Sequence, residues 1–275
     1  LTCAGTVVPL YFLGRSALEA REAWAAAAFW PLVPAANLFQ PNADTAYPFL
    51  SAAALACAVW SARWAAGKRG LTGSLLLAFV AGLLLALGMF FTLAFLPVGL
   101  IVGLSVAFAG GAGRARKSGV ILAVGAGFLA ITVAGWGLIG ASPLPIWTWN
   151  LKNHARFYVE YPRTYLAWIV INPIELAVAA GLPAVVWCLA GLARPLSVPR
   201  SCWATICVLL LLNLTGRNMG EVARLWMLFL PLLLTAAGAG LAQCGAGPAA
   251  LGLSAGLMGL STLALQTLIQ VVYPV

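Results

Sequence analysis

Apolar runs of about 18 or more residues recur along the chain, the length a helix needs to cross a bilayer. Arg/Lys clusters or Gly/Pro-rich breaks bound them. They place helical spans at approximately 1–13, 23–39, 46–62, 72–89, 92–109, 118–139, 166–192, 202–215, 225–243 and 249–271. The pattern therefore predicts an all-α, polytopic transmembrane helical bundle of about nine to ten spans. Leu1 to Leu13 is apolar at once, without the charged leader of a secretory signal, and reads as the end of a span that begins earlier. The longest polar stretch, Ser142 to Arg163, is too short for a core of its own and reads as a loop or a helix on the membrane surface. Residues 1–275 are thus expected to form a single transmembrane domain. Within and after that stretch, Trp147, Trp149, Tyr158, Tyr161, Tyr165 and Trp168 suit an aromatic belt, and Pro162 and Pro173 are expected to interrupt any helix.

Composition strengthens this reading: of 275 residues, 63% are hydrophobic and 8% charged, with mean hydropathy +1.00. No water-soluble core needs so much apolar surface. The net charge of +9 would suggest nucleic acid in a soluble protein, but here most of the basic residues lie in short loops between spans. Ten of the 15 fall in one alternating set of loops: Arg15, Arg21, Arg63, Lys68, Arg69, Arg114, Arg116, Lys117, Arg194 and Arg200. The positive-inside rule makes that set cytoplasmic and predicts a multi-pass membrane protein, with membrane lipids rather than nucleic acid as its surroundings. The six cysteines show no C-x-x-C pair and no spacing with histidine that suits zinc, and no D-x-D pair suggests another metal; neither metal nor cofactor is expected.

The opposite, outer face carries the candidate chemistry. Asp44, in a short turn, is the only acidic residue from Ala23 to Val159. It reads either as an N-cap or as a catalytic or ligand-positioning carboxylate. If Lys152 to Glu160 is helical, Lys152, Arg156 and Glu160 share a face where two cations could hold a phosphate or anionic lipid headgroups. His154 is a phosphate donor, a proton shuttle or a structural ring in an aromatic interface. Thr215 to Trp226 is the sharpest polar island: it includes Asn218, and Arg217, Glu221 and Arg224 recur there at helical spacing as an apolar span begins. Charges at that depth need a cavity or one another, so the island is a binding candidate, with an Arg217–Glu221 surface ion pair as the alternative. Glu175, just inside the span at 166–192 after a helix break, could pair with one of these arginines. The sequon at Asn213–Thr215 sits at a helix end out of reach of an oligosaccharide, and Gly82, Gly88, Gly252 and Gly256 read as helix-packing positions.

Tyr11-Phe12-Leu13-Gly14-Arg15, the alanine-rich Ala25 to Pro34, Pro41-Asn42-Ala43-Asp44 and Ala81 to Phe91 occur in an order that resembles the polytopic GT-C glycosyltransferases. The bacterial relatives of dolichyl-phosphate-mannose protein mannosyltransferases are the most similar. The likeness covers roughly Leu1 to Gly110 and is architectural beyond it. It implies a GT-C-like fold and transfer of a hexose from a polyprenyl-phosphate sugar donor to an acceptor on the outer side of the membrane. It also implies that the principal carboxylate lies in a first outer loop expected to precede Leu1, and that Asp44 is a supporting acid. Lys152, His154, Arg156, Arg217, Asn218, Glu221 and Arg224 match no fixed motif; their assignment to donor binding rests on phosphate chemistry. A transporter or flippase of a lipid-linked substrate, and a noncatalytic membrane scaffold, are the rival readings.

Overall fold

The computed structural model describes residues 1–67, 70–140, 142–194 and 198–269. Lys68, Arg69 and the last two residues of the segment expected at 249–271 lie outside the described residues. All regular structure among the described residues is helical: α1 Thr2–Gly5, α2 Val7–Arg15, α3 Ala20–Phe29, α4 Pro34–Leu38, α5 Tyr47–Ala66, α6 Leu71–Phe91, α7 Phe95–Ala107 and α8 Arg114–Ile139. There follow α9 Pro143–Glu160, α10 Tyr165–Ala180, α11 Leu182–Leu192, α12 Arg200–Leu214, α13 Val222–Leu225, α14 Leu230–Gln243 and α15 Pro248–Leu268. Short 3-10 turns at Trp30–Leu32, Ala43–Ala46 and Met227–Phe229 join some of them.

Four helical stretches among the described residues are long and apolar enough to span a membrane: Ala43–Ala66, Leu71–Phe91, Arg114–Ile139 and Pro248–Leu268. A fifth is possible if α10 and α11, bent by 110° at their junction, count as one broken span. The remaining expected spans are apolar but short or interrupted. Segment 23–39 breaks at Trp30–Leu32, where Pro31 and Pro34 each remove a backbone donor. Segment 166–192 breaks at Gly181, whose φ of 89° a side chain would resist, with Pro183 following at once. Pro173, by contrast, lies inside α10 without ending it, and only Pro162 falls between helices.

Backbone freed by such breaks is satisfied by neighbours, as a low-dielectric environment requires. Thr262 Oγ1 of α15 donates to the Leu32 carbonyl at 2.9 Å, and Trp30 Nε1 donates to the Cys3 carbonyl at 2.7 Å. Helix contacts rely on small residues. A Cβ on Gly82 would lie 2.0 Å from the Val124 oxygen and one on Gly127 would lie 2.0 Å from the Phe79 oxygen, so α6 and α8 touch backbone to backbone. Gly191 and Gly240 do the same for α11 and α14, while Ser61 and Ser74 exchange hydroxyl-to-carbonyl bonds of 2.7 and 2.8 Å between α5 and α6. Gly252 and Gly256 differ from expectation: nothing lies within 4 Å of a Cβ at either, so their side of α15 contacts no other described helix.

Two large apolar cores result, with a small third at Val198, Cys202, Ala236 and Ala239. One joins α5, α6, α7 and α12; the other joins α3, α4, α10, α11 and α14; Leu176 and Leu233 pack against both. Basic residues cap helix C-termini at one end of the bundle. Arg116 donates to the Ala65 carbonyl and Lys117 to the Ala107 carbonyl, each at 2.8 Å, and Arg194 reaches the Gln243 carbonyl at 3.1 Å. At the other end, the start of α5, helix α9, the start of α10 and residues 215–224 come together.

Candidate functional site

Residues 40–47 turn the chain into α5. The Asn42 side chain accepts the Asp44 backbone N–H at 3.1 Å, so Asn42, not Asp44, caps this turn. The Asp44 carboxylate is left for a long-range partner: Arg224 Nε stands 3.6 Å from Asp44 Oδ2. Arg224 Nη2 also donates to Glu221 Oε2 at 2.6 Å. Asp44 keeps 21% of its side-chain exposure, Arg224 32% and Glu221 47%, so the trio lines a rim that solvent or a headgroup can reach. Tyr47 faces the same carboxylate, one turn on, with its ring 6.2 Å from those of Phe91 and Phe95.

The island expected to present Arg217, Glu221 and Arg224 on one helix face is not helical until Val222. Positive φ angles at Gly216 (62°), Gly220 (89°) and Glu221 (56°) turn residues 215–221 into a loop. Glycine accepts that region freely; Glu221 does so at an energetic cost that the surrounding contacts must hold in place. Consequently Glu221 pairs with Arg224, and the Arg217–Glu221 pair does not form.

Side chains from α9 and α10 satisfy this loop almost group by group. Tyr158 Oη donates to the Arg217 carbonyl at 3.0 Å and accepts the Met219 N–H at 2.9 Å. His154 Nε2 also meets the Arg217 carbonyl, which places its proton on Nε2. Arg163 donates to the Met219 carbonyl at 2.6 Å while its guanidinium lies over the Trp168 and Phe157 rings. Asn172, 1% exposed, donates to the Asn218 carbonyl at 2.7 Å and accepts the Gly220 N–H at 3.1 Å. Glu175 accepts the Ala223 N–H at 3.0 Å: it caps the start of α13, and no arginine pairs with it among the described residues. Bare backbone of this kind persists at membrane depth only where protein covers it.

The expected site residues thus divide. Asp44, Glu221 and Arg224 meet. Arg217 is exposed, and its side chain has no hydrogen-bond or ion-pair partner among the described residues. Asn218 and His154 belong to the loop's support, Asn218 through its carbonyl. Lys152 and Arg156 do share an exposed face of α9, where Lys152 lies 5.8 Å from the Trp149 ring and Arg156 is tied to Glu160 at 2.6 Å. Asn42, Tyr47, Arg163 and Asn172 were not singled out from the sequence. An asparagine between Ile171 and Pro173 in an apolar segment was the available sign, since a buried amide needs partners. Asn213 is buried and donates to the Ile169 carbonyl at 2.9 Å, which puts the sequon out of a glycan's reach. Among the described residues no three His, Cys, Asp or Glu side chains converge as a metal site. Comparison with family models, with curated proteins and with solved structures returned no match for this chain.

Proposed function

We propose that the chain is a GT-C-like membrane glycosyltransferase of the hexosyltransferase class, moving a sugar from a polyprenyl-phosphate donor to an acceptor on the outer face of a bacterial inner membrane. In this reading the short and broken apolar helices complete a bundle of about nine to ten spans, several of them interrupted. The observation that carries it is the Asp44–Arg224–Glu221 rim beside the clamped loop bearing Arg217.

The chemistry needs a proton acceptor and a cationic place for the leaving group. A carboxylate takes the acceptor's hydroxyl proton as its oxygen bonds to the anomeric carbon. The bond from that carbon to the phosphate oxygen breaks, and the polyprenyl phosphate leaves with the electron pair. Asp44, oriented by Arg224, serves as a supporting acid, and Arg217 contacts phosphate as a planar donor. Lys152 and Arg156 add positive charge along α9.

The α10–α11 break favours the second reading, a transporter or flippase, because broken helices often build substrate sites there. At Gly181, however, Met258 and Pro34 fill the space a Cβ would enter, at 3.2 and 3.3 Å, and offer a lipid-linked phosphate no polar partner. Transfer from a panel of radiolabelled polyprenyl phosphosugars, in membranes carrying the protein, tests the choice. Asp44→Asn and Arg217→Ala should each lower transfer without loss of folded protein. Donor translocation without transfer would establish the transporter, and wild-type rates in both variants would remove the rim from the site.

A further inference from the structure

Between α6, α7 and α8 lies a cleft of about 340 Å³ lined by apolar and glycine residues that include Leu85, Gly99, Gly103, Val106, Ile121 and Gly125. That volume lies within the ~300–1,000 Å³ range of small-molecule sites. Its glycines do not bring helices together: a Cβ on Gly99, Gly103 or Gly125 would meet nothing within 4 Å. Gly82 and Gly127, on the neighbouring α6–α8 seam, meet opposing backbone at 2.0 Å. The α7–α8 side is therefore left open where the chain packs tightly next to it.

One end of the cleft opens beside cations. Val106 precedes Ala107, whose carbonyl takes the Lys117 ammonium at 2.8 Å, and Ile121 stands one helical turn after Lys117. Arg200 donates to the adjacent Phe108 carbonyl, and Arg116 to the Ala65 carbonyl. Arg114 is exposed and its side chain has no partner among the described residues. Each guanidinium has five donors, so one carbonyl leaves most of them unused. No acidic residue occurs between Asp44 and Glu160, and none of these cations forms an ion pair among the described residues.

We infer that this cleft binds an anionic diacyl phospholipid, with one acyl chain along the bare glycines and the phosphate at Arg114, Lys117 and Arg200. An apolar channel that ends in uncompensated positive charge complements both halves of such a molecule. A neutral lipid satisfies only the channel, and a free anion only the charge. The site lies at the opposite end of the bundle from Asp44 and does not depend on the enzymatic reading.

Native mass spectrometry of the full chain in neutral detergent tests this, with phosphatidylglycerol or diacylglycerol of matched chain length. Phosphatidylglycerol should be retained preferentially. Arg114→Gln should weaken its retention about fivefold and leave diacylglycerol, which has no phosphate, unchanged, since a cation beside an anionic headgroup contributes on the order of 1 kcal/mol. Gly103→Leu with Gly125→Leu should reduce retention of both lipids by filling the channel; if that protein does not fold, the Arg114 variant still decides. Equal retention of both lipids by the wild type, or phosphatidylglycerol retention unaffected by Arg114→Gln, would overturn the proposal. So would displacement of the lipid by millimolar inorganic phosphate, which would mark a site for the anion alone.

Discussion

Asn172 is buried between Ile171 and Pro173, and both ends of its amide are in use: the nitrogen serves the Asn218 carbonyl and the Asn213 amide oxygen, and the oxygen serves the Gly220 N–H. Asn172→Leu keeps the size and strands those partners, each at a cost of roughly 1–3 kcal/mol. We expect a clearly lower unfolding temperature in micelles and, on the proposed function, transfer falling in parallel because the loop carries Arg217. An unchanged midpoint would mean that water replaces the amide. Gly220 is constrained differently. At φ 89° an added Cβ would sit 1.7 Å from Arg163 Nη1, so Gly220→Ala combines a left-handed backbone cost of about 1–2 kcal/mol with displacement of Arg163. Its expected signature is weakened Arg163 packing on Trp168, visible as a shift in tryptophan emission, together with lower stability.

Helices show how far residue patterns reach. The apolar runs mark where helices occur, yet hydrophobicity alone does not distinguish an unbroken span from α10–α11, because the residues on both sides of Gly181 are equally apolar; the Gly-x-Pro at 181–183 is the only mark. Spacing misled at the glycines as well. The G-x-x-x-G at Gly252 and Gly256 faces open space, while Gly82 and Gly127, on different helices, form a backbone-to-backbone seam. Which glycine touches a neighbour depends on tertiary contact, which no local period encodes. Gly127→Ala should therefore destabilise by about 1–3 kcal/mol or more through overpacking against Phe79. Gly252→Ala should be neutral or stabilising by roughly 0.5–1 kcal/mol, as helix propensity alone predicts. Paired thermal melts read the difference directly, and equal losses would show that α15 packs in a way these contacts do not describe.

At the scale of the whole molecule, the sequence marked Asp44, Glu221 and Arg224 individually because charge is scarce in an apolar chain. Their meeting was not legible: it joins the start of α5 to a loop near the chain's other end, and the loop's left-handed backbone replaced the expected helical face. Charge does divide the bundle into two ends. At one, Arg and Lys cap helix C-termini and outnumber Glu19 and Glu22; at the other, five cations share the space with Asp44, Glu160, Glu175, Glu221 and His154. Because Lys/Arg bias sets orientation, the first end should face the cytoplasm. Single cysteines test this in a background whose native cysteines are replaced by alanine. Gly113 and Glu160 are both exposed and lie at opposite ends, so neither substitution disturbs packing. Glu160→Cys should react with a membrane-impermeant maleimide on intact cells, and Gly113→Cys only after permeabilisation. The reverse pattern would place the Asp44 rim on the cytoplasmic side, where it would meet cytoplasmic donors, and would exclude transfer to an outer-face acceptor.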